Sequence, residues 1–316
     1  MDHGPGRRGL HRGRSRGGIL IAAQASRARS PWPTRPFFDL DPGSARLAFA
    51  RTVIIPAPYE GTVSYGRGTA AAPRAILEAS WQVELFDQEL GREPKLALSS
   101  IPPLSLPRAP AQALARVEKA VSKILRQGKR PLLLGGEHSL SLGALRPAQR
   151  LFPRLTVLQL DAHADLRDQW EGTPFSHACV MRRAAEMGLT IVPVGIRSLS
   201  LEESQWIKRH RQKVFWAEEI RGKAGWVREV IRRLGPEVYL TIDMDVLDPS
   251  EMPSTGTPEP AGLSFQDLLA LFRALAASRK KVVGLDLVEL APIPRLHAPD
   301  FLCARLLYFL LARLDP

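Results

Sequence analysis

The segment Leu155–Asp165 reads Leu-Thr-Val-Leu-Gln-Leu-Asp-Ala-His-Ala-Asp and joins an apolar run directly to three polar side chains at alternate positions. Apolar runs of this length are buried strands in parallel α/β sheets. Polar residues just beyond the carboxyl ends of such strands face the crevice where open α/β sheets bind ligands. Because alternate side chains of an extended segment point the same way, Asp161, His163 and Asp165 should project together from the end of this strand.

Two other apolar runs have the same arrangement. Pro131–Leu134 precedes Gly-Gly-Glu-His-Ser at 135–139, and Val238–Ile242 precedes Asp-Met-Asp at 243–245. The Gly-Gly turn lets the backbone approach the ligand site closely, because glycine has no side chain to intervene. We expect the three motifs to meet at one edge of the sheet.

Strand-like and helix-like segments alternate from about residue 50 onward. This βα alternation predicts an α/β fold, a three-layer α-β-α sandwich with a mainly parallel sheet. Phe301–Leu314 should be an amphipathic closing helix, and the proline-rich Ile101–Pro110 a loop. The other predicted strands are Thr52–Pro56, Ile191–Gly195, Val214–Ala217 and Val282–Asp286, and the predicted helices are Ala111–Gln127, Leu201–Arg211, Ala224–Leu234 and Ser264–Ser278, the last capped by Ser264 with Asp267.

Four carboxylates and two imidazoles at one sheet edge need positive charge, which two divalent cations supply. Mixed carboxylate and imidazole ligands suit manganese, with zinc or cobalt as substitutes, and two metals roughly 3.5–4 Å apart lower the pKa of a shared water. Four carboxylates, one hydroxide and two dications leave a charge of about −1, so we expect a cationic substrate. The six candidate ligands are His138, Asp161, His163, Asp165, Asp243 and Asp245.

The chain resembles the ureohydrolase family, which includes arginase and agmatinase, over about residues 50–314. The resemblance implies two Mn²⁺ per subunit, hydrolysis of a guanidino compound to urea and an amine, a cytoplasmic location and a homo-oligomer, either a trimer or a hexamer. The segments that carry it are Gly-Gly-Glu-His-Ser (135–139), Asp-Ala-His-Ala-Asp (161–165), Phe-Ser-His-Ala (175–178), Thr-Ile-Asp-Met-Asp-Val-Leu-Asp-Pro (241–249), Thr-Gly-Thr-Pro-Glu-Pro (255–260) and Gly-Leu-Asp-Leu-Val-Glu (284–289).

The same resemblance implies how the site residues divide their roles. His177 matches a histidine that shuttles protons, and the leaving amine would gain its proton from Asp245 or His177. Glu289 matches the glutamate that holds the guanidinium group. One manganese would take His138, Asp161, Asp165 and Asp243, and the other Asp161, His163, Asp243 and Asp245.

Two segments resemble the agmatinase branch of the family: Tyr59–Thr69 and Leu166–Gly172. In the second, we expect Asp168 and Glu171 to attract a cationic substrate tail and Trp170 to wall the channel. Agmatine and a polyamine derivative such as aminopropyl-agmatine are the candidate substrates, in polyamine biosynthesis. Arginine or another guanidino acid is the alternative, kept open by Arg167 and Arg197.

Two smaller expectations concern residues beside the motifs. Glu137 should accept a hydrogen bond that orients the neighbouring His138, as outer carboxylates do for metal-bound histidines. Cys179 should be a small packed thiol, because a metal-activated hydroxide leaves no need for a second nucleophile.

Other classes of protein fit less well. A deacetylase-like amidohydrolase would keep one zinc and part of the second ligand set, whereas this chain has all six ligands. A catalytically inactive scaffold is disfavoured for the same reason. Nucleic-acid binding is suggested by the net charge of +12, but residues 1–40 hold a net +6 and leave +6 for the remaining 276 residues. No nucleic-acid motif accompanies that charge.

The N-terminal residues 1–35 are rich in Arg, Gly and Ser, so we expect a disordered basic extension there, which an upstream start site would explain. Residues 36–316 should form a single ureohydrolase domain. No apolar run approaches the roughly 20 residues that span a bilayer, so no membrane segment is predicted.

Overall fold

The computed structural model describes Met1 and residues 32–314. Eight strands in this part of the chain form one sheet in which every neighbouring pair is parallel. The order across the sheet is β2-β1-β3-β8-β7-β4-β5-β6. The strands are β1 (Thr52–Ala57), β2 (Leu98–Ser100), β3 (Arg130–Gly135), β4 (Leu155–Leu160), β5 (Thr190–Ile196), β6 (Phe215–Trp216), β7 (Glu237–Asp243) and β8 (Lys281–Val288).

Helices cover both faces of the sheet, because successive strand residues point in opposite directions. In β3, for example, Leu132 and Leu134 belong to one apolar core and Leu133 to the other. Helices α1, α7, α8 and α9 pack on the first face, and α2, α3, α4 and α5 on the second. The α-helices of the described residues are α1 (Ala72–Ser80), α2 (Pro110–Arg126), α3 (Ser141–Leu151), α4 (Val180–Glu186), α5 (Leu201–Arg209), α6 (Ala217–Ile220), α7 (Trp226–Arg233), α8 (Phe265–Ala277) and α9 (Ala298–Leu314).

The predicted α/β sandwich is confirmed, and the predicted strands and helices agree with the structure to within two or three residues. The cap of α8 is also confirmed: Ser264 Oγ accepts from Asp267 N, and Asp267 Oδ2 accepts from Ser264 N. Strand β2 was not predicted, because three residues beside a proline-rich segment are too short to show a pattern. Helix α9 is not amphipathic, since buried residues cover most of its circumference.

The predicted basic extension falls largely on residues 2–31, which lie outside the described residues. Residues 32–35, assigned to that extension, pack on the domain: Trp32 contacts the core and the Arg35 guanidinium lies 4.9 Å from the Trp81 ring centroid. Residues 32–314 form one compact unit. Among the described helices, none has the length and apolar character needed to cross a membrane.

A buried ion pair ties α9 to the segment after α1. Arg313 donates from Nη1 to Asp87 Oδ2 at 2.7 Å and from Nη2 to Glu89 Oε2 at 2.8 Å, and the Arg313 and Asp87 side chains are only 6% and 4% exposed. Burial alone would raise the pKa of Asp87, but the bonds from Arg313 and from backbone N–H groups outweigh it and lower that pKa.

Asp87→Asn should therefore lower the free energy of unfolding by about 1–3 kcal/mol at neutral pH, because the buried guanidinium of Arg313 then keeps only the half-exposed Glu89 as a charged partner. The loss should shrink as the pH falls through the lowered pKa of Asp87, where the wild-type carboxylate also becomes neutral. Urea unfolding at several pH values measures both effects. The matched control is Glu229→Gln, which breaks exposed pairs to Arg232 and Arg233 and should cost less than about 1 kcal/mol. Equal losses in the two variants would contradict the role given to Arg313.

Candidate metal centre and active site

Four adjacent strands at the centre of the sheet, β3, β8, β7 and β4, bring the predicted site residues together. His138 follows β3, Glu289 follows β8, Asp243 ends β7 and Asp161 follows β4. The direction in which successive strands are added to the sheet changes among these four strands. In open α/β sheets, ligands bind in the crevice at such a switch point, beyond the carboxyl ends of the strands. Close approach at this edge requires glycine: a Cβ on Gly136 would lie 1.8 Å from the Tyr59 carbonyl oxygen.

The buried imidazole of His138 faces three carboxylates. Its Nδ1 atom lies 3.2 Å from Asp161 Oδ2, 3.0 Å from Asp165 Oδ2 and 3.3 Å from Asp243 Oδ2. None of these contacts has hydrogen-bond geometry, so Nδ1 is buried without a hydrogen-bond partner in the described part of the chain. A buried lone pair surrounded by carboxylate oxygens is the arrangement that a cation stabilises.

A second group of donors shares Asp161 with the first. His163 Nδ1 lies 2.8 Å from Asp245 Oδ2 and 3.9 Å from Asp161 Oδ1. The groups His138–Asp161–Asp243 and Asp161–His163–Asp245 can each hold a metal ion, with their ligand atoms within 4.8 Å of one another. The six predicted ligands are thus brought to one place, and Asp161 lies where it can bridge.

The electrostatics of the cluster also favour bound cations. Burial and the nearby Asp161 raise the pKa of Asp165 to about 7. Burial, Asp245 and Asp161 raise the pKa of Asp243 well above its ordinary value. Burial would lower the pKa of His138, but the three facing carboxylates outweigh it and raise that pKa. Each shift reports the same need for positive charge among these groups.

A hydrogen-bonded chain behind His138 fixes which nitrogen faces the carboxylates. Thr241 Oγ1 donates to Asp286 Oδ1 at 2.6 Å and lies 2.8 Å from His138 Nε2. Because a hydroxyl has one hydrogen, Thr241 Oγ1 must accept from Nε2–H, which leaves Nδ1 free as a ligand. Tyr239 donates its hydroxyl to Asp286 Oδ2 at 2.9 Å and holds that carboxylate in place. The donor set therefore fits a divalent cation.

Two site residues adopt the left-handed backbone conformation that favours glycine: Asp165 at φ 53° and Glu289 at φ 63°. Each costs roughly 1–2 kcal/mol. Backbone bonds hold both in place: Glu289 N donates to the Gly136 carbonyl, and the Asp165 carbonyl accepts from Met181 N and Arg182 N at the start of α4. Strain of this kind at non-glycine residues is typical of functional sites.

A cavity of about 260 Å³ opens above the donor cluster. Glu289, His177 and Trp170, predicted from sequence, line it together with Arg167, which was kept open as a carboxylate binder, and Glu203, which was assigned no site role. Burial and nearby Glu137 raise the pKa of Glu289 to about 8, which a cation beside this carboxylate would reverse.

Asp168 and Glu171, which we expected to contact a substrate tail, do not line this cavity. Asp168 is exposed and accepts from Arg183 Nη2 at 2.5 Å, with Arg182 a further 3.8 Å contact. Glu171 is exposed in a turn at φ 47°. Two arginines on α4 thus pair with Asp168 on the protein surface, away from the cavity.

The two arginines kept open as carboxylate binders differ in environment. Arg197 donates to backbone carbonyls of Gly195, Asp245 and Glu259 among others, so its guanidinium is committed to holding loops. Arg167 lines the cavity and lies 4.3 Å from the Trp170 ring centroid. Arg167 is therefore the residue through which a carboxylate-bearing substrate would be recognised.

Glu137 does not contact the His138 ring, contrary to expectation. Its carboxylate accepts from Gly61 N, Thr62 N and Thr62 Oγ1, each at 2.6 Å, and from Ser139 Oγ at 2.5 Å. The His138 ring is instead oriented by Thr241, whose Oγ1 lies 2.8 Å from Nε2. Glu137 thus anchors the loop after β1, a contact 75 residues away in sequence that no local pattern reveals.

Overlapping carboxylate–imidazole groups at the carboxyl edge of a parallel sheet are typical of metal-dependent hydrolases. The family model described as the Arginase family matches residues 50–312, and the chain belongs to this family. The predictions of this family and of a ureohydrolase-type enzyme are confirmed.

Similar proteins of known name agree with this assignment. N(1)-aminopropylagmatine ureohydrolase of Synechocystis sp. is 41% identical over 273 residues, which cover 84% of this chain and 89% of that protein. The protein of the same name from Thermus thermophilus is 35% identical over 82% of this chain and 88% of its own length. Agmatinase of Bacillus anthracis is 37% identical over 77% of this chain and 84% of its own length.

Solved structures have the same fold. Agmatine ureohydrolase of Thermoplasma volcanium superposes with a TM-score of 0.77 at 32% identity, covering 84% of this chain and 90% of that one. Proclavaminate amidino hydrolase of Streptomyces clavuligerus gives a TM-score of 0.80 at 27% identity, covering 90% and 99%.

Thr241→Val should weaken Mn²⁺ binding about 10- to 100-fold, because His138 loses the acceptor that fixes its ligating tautomer. Thr241→Ser should bind like the wild type. Titration calorimetry of metal-stripped protein measures the affinity. The control is Thr156→Val, a buried strand threonine whose hydroxyl accepts from Gly235 N away from the site. If Thr156→Val weakens binding as much as Thr241→Val, general destabilisation explains the loss and the tautomer account fails.

Proposed function

We propose that the protein hydrolyses a guanidino compound to urea and an amine. The observation that carries this proposal is the gathering of six carboxylate and imidazole donors, five of them buried, beside a cavity that Glu289 and His177 also line. The relatives named ureohydrolases and agmatinases support the same chemistry. The shared position of Asp161 and the complete second donor group favour two metals over a single-zinc deacetylase-like site.

Two Mn²⁺ ions per subunit are the proposed cofactors. His138 and Asp165 would serve the first ion and His163 and Asp245 the second, with Asp161 and Asp243 between them. When bound, the two cations supply hydroxide near neutral pH by lowering the pKa of water. The carboxylate and imidazole donors suit manganese, and the absence of thiolates from the set disfavours softer metals.

The chain's own residues would bind the substrate and move its protons. Glu289 is buried at the cavity wall, and its Oε1 accepts from His138 N at 2.6 Å, which leaves Oε2 for a guanidinium N–H. His177 lines the same cavity, and burial lowers its pKa despite the nearby Glu137. A neutral imidazole there, or Asp245, would relay a proton to the leaving amine.

The substrate we propose has a cationic tail: agmatine or a polyamine derivative such as aminopropyl-agmatine, in polyamine biosynthesis. The names of the relatives support this tail. Glu203 lines the cavity, but its carboxylate accepts from Leu166 N and Ser200 N and so holds the backbone at the start of α5. Trp170 would wall the channel, but the positions of Asp168 and Glu171 give no support to a tail contact from them. A cytoplasmic location and a trimer or hexamer remain predictions.

A guanidino acid is the second candidate substrate, and one observation favours it. Arg167 places a guanidinium at the cavity wall, stacked on Trp170, where it could pair with a carboxylate on the substrate tail.

Glu289→Gln should lower kcat/KM at least about 10²-fold, or about 2.7 kcal/mol, because the amide keeps the shape but loses the charge that pairs with the guanidinium. The Gln oxygen can still accept from His138 N, so elemental analysis should find the metals retained. The control is Glu202→Gln, an exposed carboxylate that bonds Asp168 N and should leave kcat/KM unchanged. A Glu289→Gln variant as active as the control would refute this role.

A urea-release assay with added Mn²⁺ tests the substrate. Across agmatine, aminopropyl-agmatine, arginine and guanidinobutyrate, we expect the two cationic-tailed compounds to be hydrolysed at least about 10-fold faster than the acids. Arg167→Gln should not slow them, because that side chain is no partner for an ammonium group. If arginine or guanidinobutyrate is best, and Arg167→Gln slows it, the guanidino-acid function is correct. If none of the four compounds releases urea, the proposed function is wrong.

A further inference from the structure

A second carboxylate–threonine–histidine chain lies on the other side of the cavity, and it ends on His177. Glu137, which is fully buried, accepts from Thr62 Oγ1 at 2.6 Å. Thr62 Oγ1 in turn accepts from His177 N at 3.2 Å and lies 3.3 Å from His177 Nδ1. The arrangement repeats the Asp286–Thr241–His138 chain with different residues.

The direction of the bonds follows from the number of hydrogens available. Two backbone N–H groups, which can only donate, point at Glu137 Oε2, so this carboxylate acts as an acceptor. The single hydrogen of Thr62 Oγ1 goes to Glu137 Oε1, and the oxygen can offer only lone pairs to the His177 ring. Of the two neutral tautomers of His177, only the one with its hydrogen on Nδ1 can hydrogen-bond to Thr62 Oγ1.

The consequence concerns the other ring nitrogen. His177 Nε2 lies 3.4 Å from Ser64 Oγ, and both residues line the cavity. With the hydrogen held on Nδ1, Nε2 is the basic nitrogen and faces the substrate space. We propose that Glu137 and Thr62 are positioning residues: Glu137 orients the Thr62 hydroxyl, and Thr62 in turn sets the orientation and tautomer of His177. The proposal rests on the proposed function, in which His177 relays a proton.

Ser176 is the competing partner. Its Oγ also lies 3.3 Å from His177 Nδ1 and accepts from Ala178 N at 3.4 Å. If Ser176 donated its hydrogen to Nδ1, the tautomer would be the opposite one. That arrangement would set the lone pairs of Nδ1 and Thr62 Oγ1 against each other at 3.3 Å, so the contacts favour Nδ1–H shared between two oxygens.

Kinetics on the metal-loaded enzyme test the pair. Thr62→Val should lower kcat about 10- to 100-fold, a share of what a positioned acid–base group contributes, with KM and metal content unchanged. Thr62→Ser should restore kcat, because it keeps the hydroxyl. The control is Thr69→Val, a buried threonine after the same loop whose Oγ1 contacts the Tyr59 carbonyl and not His177. An equal loss of kcat in Thr69→Val, or no rescue by serine, would mean that loop packing alone is disturbed.

A double-mutant cycle shows whether Thr62 acts through His177. Adding Thr62→Val to His177→Ala should lower kcat no further, since the group it positions is already gone. The same loss in both backgrounds would overturn the proposal. Loss of kcat in Ser176→Ala, with none in Thr62→Val, would assign the positioning to Ser176 instead.

The tautomer can be read without activity, which separates this inference from the proposed function. In ¹⁵N-histidine-labelled protein loaded with diamagnetic Zn²⁺, two-bond ¹⁵N–¹H correlations identify the protonated nitrogen of each ring, and a His177→Gln spectrum assigns the signal among the seven histidines. We expect Nδ1–H in the wild type and in Thr62→Ser, and its loss in Thr62→Val. A wild-type signal with the hydrogen on Nε2 would overturn the proposal even if urea is released, and Nδ1–H would support it even if no urea is released.

Discussion

The mutual repulsion of buried carboxylates at the ends of the central strands is the constraint on which the rest of the site depends. Asp161, Asp165 and Asp243 crowd around one imidazole nitrogen at 3.0–3.3 Å. Burying several ionised carboxylates side by side costs an amount comparable with a domain's net stability of about 10 kcal/mol. These groups therefore need bound cations or protons, which is why the pKa values of Asp165 and Asp243 are raised in the protein alone. The strand order, the close approach at Gly136 and the left-handed backbone at Asp165 all serve to build an arrangement that bound cations stabilise.

His138 and His177 are oriented in opposite ways by the same type of hydrogen-bonded chain. A carboxylate takes the hydrogen of a threonine hydroxyl, and the threonine oxygen then accepts from the imidazole. For His138 the accepted hydrogen is on Nε2, so Nδ1 faces the carboxylates. For His177 it is on Nδ1, so Nε2 faces the cavity. Identical side chains thereby acquire different roles, one as a proposed ligand and one as a proposed proton relay.

The sequence predicted the parts of this protein that are written in local patterns. Apolar runs located every strand of the described sheet except β2, the polar residues after three of these runs are the six proposed ligands, and Ser264 with Asp267 located the start of α8. The failures have long-range causes. Asp168 is held at the surface by Arg183, which lies 15 residues later in the sequence. Glu137 does not contact the His138 ring and instead binds Thr62, which lies 75 residues earlier. Helix α9 is buried on most of its sides because other parts of the domain pack around it. The two arginines in its sequence suggested an exposed face instead.

The cation cluster is the feature on which the proposed site depends most directly. X-ray diffraction from crystals grown with Mn²⁺, measured at the manganese absorption edge, would locate the ions directly. We expect two anomalous peaks in each subunit, each marking one manganese ion. His138 Nδ1 should coordinate one ion and His163 the other, with Asp161 and Asp243 between them. A single peak, or coordination of the first ion without His138 Nδ1, would contradict the two-metal site and the role given to Thr241 and Asp286.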